Sequence, residues 1–163
     1  MSGRAAVHLF TAVLLAVAAL LPSCMQHPPV KGQASPSISV SRFPEGTELM
    51  RMGIDGENGF SLTFIHSVSL TRVVDCYDIR DGRIVQTAEY FSAHGAGLPS
   101  QADEPGGIAW EEQGGQFVFR MERPIPKLVV RTDRRYENRL HIGPTTVNLN
   151  QWEDQALLVS LVQ

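Results

Sequence analysis

The fold is decided by residues 73–91, which read VVDCYDIRDGRIVQTAEYF. Two runs rich in β-branched and aromatic residues lie on either side of Asp81-Gly82. An Asp-Gly pair between such runs signals a type I′ turn, because glycine accepts the positive φ that this turn requires. The stretch therefore predicts a β-hairpin whose second arm runs through Tyr90 and Phe91.

The strand pattern continues on both sides of this hairpin. Upstream, Phe60, Leu62 and Phe64 alternate with polar residues, which is typical of a half-buried strand. Downstream, short apolar runs alternate with turn residues, and no helical period lies between them. We count about eight strands, with the run 156–162 favoured as a closing strand and a short helix left open. The pattern predicts an all-β fold, either an antiparallel β-sandwich or a partly open barrel.

Residues 92–107, SAHGAGLPSQADEPGG, interrupt this pattern. They show no period, and they are rich in glycine and proline. Long segments without regular structure inside a small domain are uncommon and often functional. This loop is therefore the first place to look for a site.

The N-terminus reads as an export signal. Residues 1–24 combine Arg4 with a long apolar run that ends in LPSC. This ending resembles the lipobox of bacterial lipoproteins, in which the cysteine is diacylated and becomes the new N-terminus. Leu21 and Ser23 fit that pattern, and Pro22 departs from it. The resemblance implies lipidation of Cys24; an uncleaved membrane anchor and ordinary secretion remain open.

The chain length predicts one domain. We expect a signal peptide over residues 1–23, the lipid-attachment cysteine and a flexible linker over 24–42, and a single β domain over 43–163. The linker is expected because residues 25–42 are rich in proline and serine.

Charge and cysteine content restrict the functional classes. The formal net charge of −3 gives no basic excess for nucleic-acid binding. The chain has two cysteines, Cys24 and Cys76. If Cys24 carries lipid, Cys76 has no partner within the chain and the domain has no disulfide. We expect Cys76 to be a small buried hydrophobic residue, with a reactive nucleophile as the alternative.

Three segments together carry a family resemblance. Residues 60–68 (FSLTFIHSV), 73–75 (VVD) and 91–99 (FSAHGAGLP) resemble the bacterial family called domain of unknown function 1850. Arg72 departs from the proline of many members. The resemblance implies an accessory envelope protein of a TRAP-type transporter of the TAXI subclass, which moves organic anions with a periplasmic receptor. It implies no catalytic mechanism.

The candidate site joins the end of a strand to the glycine-rich loop. A histidine can bind an anion or transfer a proton, and successive backbone N–H groups can cradle an anion. Both features also have a purely structural explanation. The histidine can hydrogen-bond a loop backbone, and the glycines can be there because the turn needs positive φ. The candidate ligand-binding or partner-binding residues are His66, Ser67, Ser92, His94, Gly95 and Gly97.

Other chemistries have weaker support. Ser92, His94 and Asp103 are the residue types of a nucleophile triad, but the Gly-x-Ser-x-Gly elbow is missing. The histidines at 66, 94 and 141 lack the spacing of a zinc site, so we expect no metal and no cofactor. The arginines between 131 and 139 alternate with acidic residues and form either salt bridges or an anion or partner contact.

We therefore expect an accessory binding module without catalysis, anchored in the bacterial envelope and facing the periplasm. A small envelope hydrolase and a purely structural lipoprotein are the alternatives. Met25 after the lipid cysteine is not the aspartate of inner-membrane retention, so the outer membrane is preferred. The expected partners are transporter components or their solute.

Overall fold

The computed structural model describes residues 36–54, 56–101 and 103–162. Within them lie eleven strands and two short 3-10 helices, at Arg134–Tyr136 and Leu149–Trp152. The strands are β1 (Ser37–Arg42), β2 (Glu48–Gly53), β3 (Gly59–Ile65), β4 (Arg72–Arg80), β5 (Arg83–Phe91), β6 (Gly107–Gln113), β7 (Gln116–Pro124), β8 (Leu128–Arg131), β9 (Arg139–Ile142), β10 (Thr145–Asn148) and β11 (Ala156–Val162).

The strands form two antiparallel sheets. A small sheet has the order β2-β1-β11-β8, and a large sheet has the order β10-β9-β3-β4-β5-β7-β6. The sheets do not close into a barrel. The predicted fold class, an antiparallel all-β sandwich or partly open barrel, is confirmed, with two sheets and with eleven strands in the described residues instead of about eight.

The hairpin at residues 73–91 forms as predicted. Arg80 pairs with Arg83, and the two turn residues have positive φ, 51° at Asp81 and 70° at Gly82. Both angles belong to the type I′ turn, whose twist matches that of the flanking strands. The hairpin arms, β4 and β5, occupy the centre of the large sheet.

The position of β1 corrects the linker prediction. Residues 37–42 are not a flexible tether, because β1 pairs with both β2 and β11 in the small sheet. Ile38 and Val40 are fully buried. They alternate with serines in the period of a strand, but the serine-rich composition resembles that of a linker. The domain therefore includes residues 37–42.

The closing strand, β11, lies inside the small sheet between β1 and β8. This confirms the strand over the helix for the end of the chain. The main core lies between the two sheets, where the rings of Phe60 and Tyr77 stack with centroids 4.9 Å apart. A second cluster on the same face of the large sheet contains Val73, Phe91, Leu98, Phe119 and Met121.

Cys76 lies on the opposite face of the large sheet, in a small cluster with Val74 and Ala88. It is 1% exposed, so its expected burial is confirmed. It also forms a disulfide, whereas the sequence predicted none for the case in which Cys24 carries lipid. Cys24, the signal peptide and the rest of the predicted linker before residue 36 lie outside the described residues. No helix in the described ranges is long and apolar enough to cross a membrane.

Candidate functional site

His66 begins a tight turn between β3 and β4. Its backbone N–H donates to the Thr71 carbonyl at 2.8 Å, and the Leu70 N–H donates to the His66 carbonyl at 2.9 Å. The Ser69 backbone N–H donates to the His66 Nδ1 at 3.2 Å. A nitrogen that accepts a hydrogen bond holds the lone pair, so the network assigns the proton of the neutral ring to Nε2.

The glycine-rich loop lies directly against this turn. A Cβ on Gly95 would lie 3.2 Å from the His66 Cε1 and 3.4 Å from the Ser69 Cβ. Glycine leaves room for the imidazole, and a larger residue would displace it. The structure thus brings together His66 and Gly95, which are far apart in the sequence.

His94 faces a different set of neighbours. Its ring stacks on Trp110 with an interplanar angle of 9° and lies 4.4 Å from the ring of Phe117, centroid to centroid. Ser92 and Gly97 are exposed. Within the described residues, no hydrogen bond joins the side chains of Ser92, His94 and Asp103, so the geometry does not assemble a nucleophile with a base.

A cleft of about 390 Å³ opens beside His66. One wall is the end of β3 and the start of the turn. The other wall is the end of β8, the first 3-10 helix and the residues before β11. The lining residues are Phe64, Ile65, His66, Ser67, Arg131, Thr132, Asp133, Tyr136, Asn138, Asp154 and Gln155.

The two carboxylates of the cleft already have cationic or backbone donors. Asp133 accepts from the Arg135 backbone N–H at 2.9 Å and from its Nε at 3.0 Å. These bonds to Arg135 lower the pKa of Asp133 to about 2. Asp154 accepts from the Arg134 backbone N–H at 2.9 Å. Both carboxylates are therefore already hydrogen-bonded to neighbouring arginines.

Arg131 differs from Arg134 and Arg135, which pair with aspartates. It lines the cleft and is exposed. No carboxylate of a described residue lies within ion-pair distance of its guanidinium. Arg139, by contrast, donates to the side chains of Asn148 at 2.8 Å and Asn150 at 3.2 Å. The cleft therefore contains one cation without a counter-charge in the described structure.

The turn that carries His66 also presents two apolar side chains to solvent. Val68 is 62% exposed and Leu70 is 70% exposed. Leu70 has a φ of 53°, a left-handed conformation that costs a leucine about 1–2 kcal/mol. Such strain is concentrated at functional segments.

A buried acidic pair lies on the inner face of the large sheet. Asp75 on β4 is directly opposite Glu89 on β5. Asp75 Oδ2 accepts from the Tyr77 hydroxyl at 3.2 Å, and its Oδ1 is buried without a partner. Burial raises the pKa of Asp75 to about 7. Burial and then the charge of Asp75 raise the pKa of Glu89 to about 8.

A family model matches residues 60–149, more than half of the chain, under the description Domain of unknown function (DUF1850). The chain belongs to the DUF1850 family. No match was found among curated proteins or among solved structures. The DUF1850 region contains β8 and almost the whole large sheet, together with His66, Asp75 and the 92–106 loop. Strands β1, β2 and β11 lie outside it.

The third histidine of the DUF1850 region is structural. His141 contacts the Thr63 hydroxyl through Nε2 and the Thr146 hydroxyl through Nδ1, both at 2.9 Å. Burial, followed by the charges of Arg139 and Arg72, lowers the pKa of His141. In the described ranges, no group of three or more His, Cys, Asp or Glu side chains could hold a metal ion.

The importance of Arg131 and Glu89 was missed by reasoning from the sequence. Arg131 was grouped with three other arginines, and only the tertiary contacts separate it from them. Glu89 had a usable signal, because it occupies the inward-facing position two residues before Phe91 in a predicted strand. A carboxylate at such a position is unusual, since buried charges need a partner.

Proposed function

We propose that this DUF1850 protein is an envelope-anchored accessory binding module that takes a carboxylate-bearing organic anion in the cleft beside His66. The observation that carries the proposal is the position of Arg131. No carboxylate of the described residues pairs with it, and the carboxylates that line its cleft are already bonded. A ligand carboxylate would supply that counter-charge.

The remaining polar groups of the cleft suit the same ligand. Ser67 is exposed and has a hydroxyl that can donate. In the neutral ring of His66, Nε2 carries the proton, and no described residue accepts from it. The guanidinium of Arg131 presents a planar fork of donors that matches a carboxylate. A cleft of about 390 Å³ is large enough for a small organic acid.

The ligand class agrees with the role that the family resemblance implies. TRAP-type transporters of the TAXI subclass move organic anions, so a carboxylate-binding accessory module would act on the same solutes. We propose that the partners are components of such a transporter. A lipid on Cys24 would hold the module at the periplasmic side of the envelope, with the outer membrane preferred.

The test is binding of small mono- and dicarboxylates to the exported protein, measured by titration calorimetry. Arg131→Gln and His66→Ala should each weaken binding about tenfold or more, because each removes a charged or strongly polar contact. Arg83→Gln is the matched control, since Arg83 is exposed in the distant β4–β5 turn. The melting temperature of the Arg131 variant should stay close to that of the parent.

Equal affinities for the parent and Arg131→Gln would refute the carboxylate site. A fall in melting temperature for His66→Ala with unchanged binding would assign the histidine a structural role. In cells, deletion of the protein should reduce uptake of the bound anion, and Arg131→Gln should not restore it.

A further inference from the structure

The segment 92–106 is tied to the large sheet by an arginine. Nε and Nη2 of Arg123, on β7, donate to the Pro105 carbonyl at 3.0 and 2.8 Å. In the middle of the segment, Leu98 is buried among the aromatic rings of the second core cluster. The segment is also held by the Glu122 N–H, which donates to the Gly106 carbonyl at 2.8 Å, and by the stacking of His94 on Trp110. The bonds from Arg123 to the Pro105 carbonyl are the contact that a change of charge nearby can alter.

The acidic pair lies next to the charged contact. Strand β5, which carries Glu89, pairs with β7, which carries Arg123. Arg123 also reaches the Gln86 side chain at 3.5 Å, and its positive charge acts on both Asp75 and Glu89. Glu89 is 8% exposed, and no described residue donates a hydrogen bond to its carboxylate.

We propose that Asp75 and Glu89 form a proton-operated latch, which holds the segment 92–106 against the sheet while the pair is protonated and releases it when both carboxyls ionise. The latch is a property of the fold and does not depend on the proposed ligand.

The argument rests on competition for Arg123. A protonated pair is neutral and leaves the guanidinium bonded to the Pro105 carbonyl. When both protons pass to solvent, two negative charges face each other in a buried site and attract Arg123 more strongly than a neutral carbonyl does. They also repel Glu104, whose charge acts on Glu89 and which precedes Pro105 in the segment.

Among the described residues, no other charge near the pair opposes this movement. The charged and titratable groups that face it are Tyr77 on β4, Arg123 on β7 and Glu104 in the segment. The neighbouring strand β3 has no titratable side chain, and neither has β11, which contacts β5 from the small sheet.

Trp110 reports on the segment because His94 stacks on it. In a Trp152→Phe background, Trp110 fluorescence should change as the pH rises from about 6 to about 9, and far-UV circular dichroism should stay constant. The midpoint should lie between about 7 and about 8, the pKa values of the pair. Asp75→Asn combined with Glu89→Gln should abolish the transition. Glu112→Gln, an exposed carboxylate on β6, should leave it unchanged.

A transition that persists in the double variant would overturn the latch, and so would simultaneous loss of the β-sheet signal. The parent protein supplies a second test if the double variant does not fold. Amide hydrogen exchange, corrected for the intrinsic effect of pH, should show reduced protection of residues 92–106 at about pH 9 relative to β1. Unchanged relative protection between about pH 6 and about pH 9 would also overturn it.

Discussion

At the scale of single residues, the contacts of a side chain decide its role more than its type does. Arg131, Arg134 and Arg135 lie within five positions of one another. Arg134 and Arg135 form ion pairs with aspartates, and Arg131 pairs with no carboxylate of the described residues. His66 and His141 differ in the same way. The ring of His141 is bonded at both nitrogens by threonines, and the ring of His66 is bonded at one.

The acidic pair leads to a prediction about stability and pH. Asp75 and Glu89 have pKa values near 7 and 8 in the folded protein and ordinary values near 4 in the unfolded chain. Between about pH 4 and pH 8 the folded state therefore binds more protons, and the free energy of unfolding falls as the pH rises. We expect a loss of a few kcal/mol across this range.

Urea unfolding at a series of pH values measures this loss. Asp75→Asn cannot ionise, so its unfolding free energy should fall less steeply and should exceed that of the parent above about pH 8. Glu112→Gln should follow the parent curve. Parallel curves for Asp75→Asn and the parent would show that Asp75 keeps an ordinary pKa in the fold.

At the scale of elements, β1 determines where the folded domain begins. It is the second strand of the small sheet and pairs along both of its edges, so its removal would separate β2 from β11. It also buries Ile38 and Val40 completely, each worth about 1.5–3 kcal/mol. A typical domain has only about 5–15 kcal/mol of net stability.

We therefore predict that a chain of residues 36–163 folds cooperatively and a chain of residues 43–163 does not. Both chains lack Cys24, so the comparison isolates β1. Thermal unfolding followed by circular dichroism measures the difference. A sharp unfolding transition of similar midpoint in both chains would show that β1 is dispensable and that the domain begins at Phe43 after all.

At the scale of the whole molecule, the lipid anchor and a disulfide with Cys76 would both need the sulfur of Cys24. The chain has two cysteines, and a sulfur that carries lipid through a thioether cannot also form a disulfide. If Cys24 is lipidated, the mature chain therefore cannot contain the disulfide of Cys76 that the structure has.

Mass spectrometry of protein from native membranes, without reduction, distinguishes the two states. We predict cleavage before Cys24 and a diacylglyceryl group on its sulfur. Cys24→Ala should accumulate as unprocessed precursor, and Cys76→Ser should still be lipidated. An unmodified Cys24 joined to Cys76 would contradict the anchor and leave the binding module unattached.

The sequence by itself determined the parts of this protein that depend on neighbouring residues. The alternation of β3, the Asp81-Gly82 turn and the aperiodic loop after Phe91 are local signals, because strand period and turn type are set within a few positions. Together they predicted the antiparallel all-β class. The sequence did not reveal that β1 lies inside a sheet. Its serines and apolar residues alternate as in a strand, but whether the apolar residues are buried depends on contacts with β2 and β11.

Only the tertiary structure decided which distant residues meet. Asp75 and Glu89 become a buried pair because the hairpin register sets them opposite each other and places both on the inner face. Gly95 meets His66 because the loop after β5 returns to the turn after β3. Arg131 has no counter-charge among the described residues because the neighbouring aspartates are bonded to Arg134 and Arg135. Charge and burial depend on every group within a few ångströms, and the order of residues in the chain does not specify those groups.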